Sequence, residues 1–305
     1  MDVTVSIVNH ENRDAVLEAL RALAADEGRE AALEVIVVDN VSQDGSVDAI
    51  RAAFPDVKVI ARGRRAGYGA NHNLALREAA GRHVLLLNDD TDVQPGAIDA
   101  LCRHLDDHPD VAVAAPTVRS ADGALEPTLW PRPSLRVDLL GSALFGLVRP
   151  IPPGSAEPIG WAMGCALMVR RDALVAAGGF DEGYFMYSEE IDLCTRLVDA
   201  GHRIAHVPEA VVVHEGQVST GIESPERAVE MARSRRRYWQ QHYRPAARLA
   251  AQAAVAVQFA ALALAAALRR RPARALLLQA AESIGTTGRP GLRERAEAFN
   301  RARPA

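Results

Sequence analysis

The chain has 305 residues, 49% hydrophobic and 24% charged, which is the composition of a folded globular protein with room for one large α/β domain and an appendage. A formal net charge of −4 and 5% aromatic residues exclude a general nucleic-acid field and a base-stacking platform, so no nucleic-acid partner is expected. The three cysteines, Cys102, Cys165 and Cys194, are odd in number and form no CxxC pair, which fits a reducing compartment and excludes a structural zinc.

Residues 3–8 (Val-Thr-Val-Ser-Ile-Val) read as a strand that begins almost at the N-terminus, with no basic or apolar leader, so the chain is expected to stay in the cytoplasm. An amphipathic helix follows over 13–25, then a buried strand over 34–39. A helix over 46–54, a strand over 57–60 and a helix over 69–80 come next. An apolar strand over 84–87, a helix over 98–107 and a strand over 111–115 complete this half. Repeated βα units of this length predict a mostly parallel central sheet with helices on both faces.

From 126 to 158 the regularity breaks, with prolines at 127, 131, 133, 150, 152 and 153. Leu135, Leu139, Leu140, Leu144, Phe145 and Leu147 have helical spacing within it. The plain reading is a surface loop with one packed turn of helix; because loops this long are uncommon unless functional or disordered, a flap over a site or against an apolar acceptor is preferred. Regular structure resumes over 160–169, a helix runs from an acidic stretch at 188–192 to about residue 200, and 211–214 ends the sheet. The division is residues 1–120 and 121–225 as two halves of one α/β domain, and 226–305 as a helical, Ala-rich, basic appendage.

Four elements carry chemistry. The strand at 84–87 ends abruptly in Asn88-Asp89-Asp90-Thr91-Asp92. Ligands of open α/β sheets bind beyond the carboxyl ends of the strands, and clustered oxygens there suit a hard cation such as Mg²⁺ or Mn²⁺ that bridges a phosphate ligand. An acidic turn that caps the next helix, with Thr91 or Asp92 as N-cap, explains the same residues equally well. The strand ending in Asp39 offers a carboxylate for the N3–H of a uracil or thymine ring, while Asp44 and Ser46 suit a turn and an N-cap. Gly67-Tyr68-Gly69-Ala70-Asn71-His72-Asn73 leads into a helix whose start could approach phosphate, although no P-loop lysine follows. Ser188-Glu189-Glu190-Ile191-Asp192 either favours a helix N-terminus or supplies a general base. His214 ends an apolar strand, where it is either structural or an extra metal ligand.

In this order and spacing the segments VVDN-S-DGS, G-YGAN-N, LLLNDDT, WAMGCALMVRR, GGFDEGYFMYSEEIDLCTRL and VVVHEG resemble the family 2 glycosyltransferases, most closely the rhamnosyltransferase-like members. The resemblance implies a GT-A fold, a Rossmann-like nucleotide-sugar-binding α/β domain joined to an acceptor half. It implies an inverting glycosyltransferase that moves a sugar, rhamnose from dTDP-rhamnose being preferred, from a nucleotide-diphospho-sugar to a glycan or polyprenyl-linked acceptor in cell-wall or surface polysaccharide synthesis. A nucleotide-sugar-binding protein without independent activity is the alternative. Asn9, Asp39, Asn40, Gly67, Asn71, Asn73, Asn88 and Asp89 would then line the donor, with Trp161 and Gly164 on the acceptor side. Asp90 and His214 would hold Mg²⁺ or Mn²⁺, and Glu190 would be the base, with Asp192 and Glu189 as further candidates. Asn88 stands where the family's motif often has Asp, and Glu190 where many members have Asp.

Residues 249–268 contain no charge, and a helix over 273–283 follows. Arg233, Arg235, Arg236, Arg237, Arg244 and Arg248 precede the apolar stretch and Arg269-Arg270-Arg271 follow it, with Tyr238, Trp239 and Tyr243 alongside. Spanning, interfacial and packed helices all fit this pattern. The expectation is peripheral association with an anionic surface, at the inner face of the cell membrane.

Overall fold

The computed structural model describes residues 1–140, 149–215 and 224–303. Its first half alternates strand and helix: β1 (Val3–Asn9), α1 (Arg13–Ala25), β2 (Leu33–Asp39), α2 (Ser46–Ala53), β3 (Lys58–Ala61), α3 (Tyr68–Glu78) and β4 (His83–Asn88). A short β5 (Thr91–Val93), α4 (Ala97–Asp107) and β6 (Val111–Ser120) follow. The middle segment holds β7 (Leu129–Trp130), α5 (Leu135–Leu140) and β8 (Trp161–Ala162). Then come β9 (Ala166–Arg170), α6 (Arg171–Ala176), α7 (Glu189–Asp199) and β10 (Arg203–His214). Four helices end the chain: α8 (Pro225–His242), α9 (Pro245–Leu268), α10 (Arg274–Ser283) and α11 (Leu292–Ala302).

Eight strands form one sheet in the order β3-β2-β1-β4-β9-β6-β10-β5. The pairs β2–β3, β1–β2, β1–β4 and β6–β10 are parallel, so the expectation of a mostly parallel sheet is met. β9 lies antiparallel between β4 and β6, and β5 is antiparallel at the edge beside β10. The central strands are buried on both faces, as their continuous apolar runs require. One core cluster packs Val5, Ile7, Leu85 and Leu87 against Leu20, Leu101 and Leu105. Another packs Leu86, Leu167 and Val169 against Leu174, Leu193 and Leu197.

Several sequence readings change in detail. Thr91 and Asp92 cap no helix: they belong to β5, and α4 starts after Gly96, whose φ of 78° is free for glycine. Gly45 rather than Ser46 is the N-cap of α2, and Asp44 Oδ1 accepts the Ser46 amide at 3.0 Å. Within 126–158, β7 pairs with β8 of the following segment and α5 forms over 135–140, while Leu144, Phe145 and Leu147 lie outside the described residues. The C-terminal helices pack on the sheet domain. Tyr184 clusters with Tyr238, Trp239, Ala251 and Val255, and Asn300 exchanges hydrogen bonds with the Arg65 backbone.

Trp239 is 1% exposed and donates its indole N–H to Asp138 at 2.9 Å, joining α8 to α5. Trp239→Ala is expected to cost about 3–5 kcal/mol, read as a lower midpoint in urea unfolding. A midpoint like that of the unaltered chain would mean that the C-terminal helices add nothing to the stability of the sheet domain.

Candidate active site

Strand register sets the site. Asn9 is opposite Asp39 and Val8 is opposite Asn88, so β1, β2 and β4 end side by side. β9 begins at the same edge, because Ala166 pairs with Leu87 and the Asn88 amide donates to the Cys165 carbonyl at 2.9 Å. Gly164 and Trp161 therefore arrive beside the strand ends. His214, at the end of β10, pairs with Thr91 and Ser120.

Asp39 is 2% exposed. Its oxygens accept from Asn9 Nδ2 at 2.8 Å and from the Ser42 amide at 2.9 Å. Asn9 Oδ1 is buried and has no partner among the described residues. Asn40 makes two bonds to the Ala66 backbone, 3.0 Å from its Nδ2 and 2.8 Å to its Oδ1, and so holds the loop before α3. The next residue, Val41, has φ 64°, a costly conformation for a β-branched side chain that is held by this frame.

The Gly67 to Asn73 segment is used for internal joints. A Cβ on Gly67 would lie 2.5 Å from the Phe185 carbonyl oxygen, which also accepts the Tyr68 amide at 2.8 Å. Asn71 donates to the Gly67 carbonyl at 3.0 Å and accepts from Arg62 at 3.1 Å. Asn73 brackets the Phe180 backbone, donating at 2.9 Å and accepting at 2.8 Å. Gly67, Tyr68 and Asn73 fasten α3 to the 180–185 segment, and Asn71 ties the start of the helix to Arg62.

Carboxylates gather after β4. Asp90 Oδ1 is buried without a hydrogen-bond partner among the described residues and lies 3.4 Å from His214 Nε2. The other ring nitrogen of His214 is 3.2 Å from Glu126 Oε2. Burial alone would lower the histidine, but Asp90 and Glu126 outweigh it and raise its pKa to about 8. Burial and the neighbouring Asp90 push Asp89 up to about 7, and Asp89 accepts the His10 amide at 3.3 Å. An orphaned carboxylate oxygen beside an imidazole and a second acid is a donor set that fits a divalent cation. Glu126 was not expected here: in the sequence it only opens the proline-rich stretch, and its partner is 88 residues away.

A second cluster, His83, Cys102 and Asp106, has ligand atoms within 4.8 Å of one another. It sits at the opposite end of β4, and the Arg82 guanidinium already supplies a cation there, 2.8 Å from Asp106 and 3.5 Å from Cys102.

The acidic stretch opens α7. Tyr187 and Ser188 both have positive φ, 71° and 65°, a strained entry that aims the first turn. Glu189 is 4% exposed, and burial next to Glu190 holds it well above the usual carboxylate range. Glu190 is half-buried, and burial raises it to about 7. A methyl on Gly164 would come 3.5 Å from Glu190 Cβ and 3.8 Å from the Tyr68 ring, so the glycine leaves room between them. Asp192 is committed elsewhere: Arg196 Nε holds one oxygen at 2.9 Å and His242 Nε2 the other at 2.8 Å.

Tyr68 links the two sides. Its buried hydroxyl is 3.0 Å from Asn88 Oδ1 and 2.8 Å from the Gly164 carbonyl oxygen, and burial keeps it protonated. Trp161 stacks on Trp130 with centroids 5.8 Å apart and planes 11° from parallel. Neither Tyr68 nor Trp130 was singled out from sequence, because the partner of each is remote in the chain.

Residues 4–155 match the Glycosyl transferase family 2 model and residues 83–277 the Glycosyl transferase family group 2 model. The chain belongs to the family 2 glycosyltransferases. It is 34% identical over 214 residues to the N-acetylglucosaminyl-diphospho-decaprenol L-rhamnosyltransferase of Mycobacterium tuberculosis, covering 62% of this chain and 68% of that one. It is 27% identical to the rhamnosyltransferase WbbL of Escherichia coli over 70% of this chain and 83% of that one. The mannosyltransferase of Pyrobaculum calidifontis, solved with GDP-Man and Mn²⁺, aligns over 98% of this chain and 87% of its own at TM-score 0.54 and 20% identity. GalNAc-T7, solved with UDP, GalNAc and Mn²⁺, aligns over 77% of this chain and 47% of its own at TM-score 0.57 and 15% identity. The fold of this glycosyltransferase is GT-A, as its motifs implied.

Tyr68→Phe removes the hydroxyl that joins the Asn88 turn to the Gly164 loop. A hydrogen bond of about 1 kcal/mol corresponds to roughly a fivefold loss in kcat, with the donor KM nearly unchanged. Steady-state kinetics beside a melting curve check this. Full kcat in the Phe variant would make the tyrosine a packing residue.

Proposed function

We propose that this glycosyltransferase moves rhamnose from dTDP-rhamnose, with inversion, to a hydroxyl of a polyprenyl-linked glycan, in cell-wall or surface polysaccharide synthesis at the inner face of the cell membrane. The rhamnosyltransferase relatives support the donor sugar, and the decaprenol-linked acceptor in the name of the mycobacterial relative supports the lipid carrier. The observation that carries the chemistry is Glu190. Of the acids that open α7 it alone is half-exposed, raised to about 7 by burial and set against the Gly164 loop, while Glu189 is 4% exposed and Asp192 is bound by Arg196 and His242.

Glu190 takes the proton of the acceptor hydroxyl as that oxygen attacks the anomeric carbon from the face opposite the leaving diphosphate. A single displacement inverts the configuration, and the enzyme needs no nucleophile of its own. Asp39 accepts the N3–H of the thymine ring, and Asn9 Oδ1, buried and unpartnered, offers a further acceptor at the same strand ends. Asp90 and His214 would hold Mg²⁺ or Mn²⁺, which when bound neutralises charge on the leaving diphosphate. Trp161 and Gly164 face the acceptor. The Trp130–Trp161 stack supplies an apolar surface of the kind that suits the C–H face of a sugar.

Glu190→Gln is expected to lower kcat by about 10²–10⁴-fold while calorimetry finds dTDP affinity unchanged. The unaltered enzyme needs the ionised carboxylate, so its kcat rises with pH through about 7. That limb disappears in the Gln variant. An Asp192→Asn enzyme keeps the limb and melts at lower temperature. If Asp192→Asn loses the limb and Glu190→Gln keeps it, the base has been misassigned.

Asp90→Ala is expected to remove the gain in dTDP affinity that Mn²⁺ gives the unaltered protein, measured by titration with and without the metal. Turnover that persists in excess EDTA would defeat the metal assignment.

A further inference from the structure

Within residues 231–281 fall ten of the chain's 35 basic residues and none of its 39 acidic ones. The structure divides these arginines into two groups. On α8, Arg233 and Arg236 pair with Glu282, Arg237 pairs with Asp181, and Arg235 lies over the Phe259 ring at 5.3 Å. These four are spent inside the protein, so the basic run that the sequence suggested for a membrane is largely an internal one. Arg244, Arg248, Arg269, Arg270, Arg271 and Arg274 form no ion pair among the described residues, and all but the half-buried Arg248 are exposed. Two lie where α9 begins, and four lie at the turn into α10.

Between these two basic ends α9 shows an apolar side. Leu249, Val257, Leu264 and Leu268 are 61%, 64%, 63% and 78% exposed and recur on one side of the helix. Leu277 on α10 and Ile284 just after it are also exposed, 55% and 52%. The most apolar stretch of α9 has mean hydropathy 1.9 and is only 22% buried. Its opposite side is occupied: Ala251 and Val255 pack with Tyr184, Tyr238 and Trp239, and Gln258 is buried.

We propose that α9 and α10 are the face by which this enzyme lies on an anionic bilayer, in the headgroup plane and not across it. The purpose of this docking rests on the lipid-linked acceptor proposed above; the docking itself does not. Charge complementarity selects the partner, since unpaired arginines bracket the apolar stripe at both ends and no acid interrupts it. A helix lying flat presents both basic ends to one leaflet. A crossing helix would carry one end through the bilayer and would strip the Tyr184–Trp239 cluster from α9. That cluster also contacts Ile191, the residue after Glu190. Docking through α9 therefore holds the start of α7 at a set height above the lipid.

The test is flotation of the full chain with phosphatidylglycerol–phosphatidylcholine vesicles at low salt, without donor or acceptor, so that a wrong reading of the activity cannot affect it. The unaltered chain is expected to float and to be released by alkaline carbonate. Replacing Arg269, Arg270 and Arg271 together by Gln should weaken binding about 10²-fold, at roughly tenfold or less per arginine. The exposed pair Val257→Glu and Leu264→Glu should abolish flotation with the melting temperature retained. Failure of the unaltered chain to float, or flotation of both variants like the parent, overturns the proposal. Resistance to carbonate would make α9 a spanning helix. A dimer that the Glu variant splits without loss of flotation would assign the face to a second copy of the chain. Either result also overturns the proposal.

Discussion

The antiparallel insertion of β9 between β4 and β6 is the constraint on which the site depends. Parallel strands alone would bring Asn9, Asp39 and Asn88 to one edge and send every connection away over a helix. Because β9 runs the other way, its entry and not its exit meets that edge. The loop carrying Trp161 and Gly164 is thereby placed beside the Asn88 turn, with the Asn88 amide bonded to the Cys165 carbonyl at 2.9 Å. Tyr68 then closes the gap from the side, and α7 brings Glu190 against Gly164. The groups proposed for the donor and acceptor sides meet through backbone register.

That edge collects, among the described residues, the buried or half-buried acids Asp39, Asp89, Asp90, Glu126, Glu189 and Glu190, in a chain of modest net charge. Burying like charges together is costly, and the structure divides the cost. His214, raised to about 8, faces Asp90 and Glu126, while Asp89 and Glu190 are lifted to about 7 and burial beside Glu190 holds Glu189 well above the usual carboxylate range. Pushing the proton affinities of neighbouring acids apart separates their possible roles. The acids nearest the histidine are suited to a cation, and the acid facing Gly164 is suited to moving a proton near neutrality.

The strand pattern, the parallel sheet and the family were legible in the sequence because each rests on local signals: apolar runs, βα spacing, and an acid-rich turn at a strand end. What stayed hidden depends on partners far along the chain. Glu126 reaches His214, Tyr68 reaches Gly164 and Trp130 meets Trp161 only through the fold. The glycine–asparagine segment has internal joints that composition does not reveal. Its composition suggests an approach to phosphate, and the structure shows Gly67 against the Phe185 backbone, Asn73 bonded to the Phe180 backbone and Asn71 bonded to Gly67 and Arg62. Composition could not separate the two uses, since both need small residues and amides where backbones approach closely. The arginines of α8 are alike in this: their number is visible in the sequence, but their acids, Asp181 and Glu282, come from other elements.

One apolar cluster couples the two ends of the molecule. Tyr184, Tyr238, Trp239 and Val255 pack with Ile191, so the inner side of α9 and the first turn of α7 share a core. Asp192, the next residue, is bonded to His242 on α8, and Asp138 on α5 is bonded to Trp239 and Tyr243. The acidic turn is therefore anchored from behind by the same helices that carry the exposed stripe. If the proposed base meets a hydroxyl on a lipid carrier, its height relative to the proposed bilayer contact has to be fixed, and a rigid packed cluster would do this where a flexible tether would not. The polar bonds to Asp192 then have a structural purpose that explains why this acid, so close to Glu190 in sequence, is withheld from the cleft.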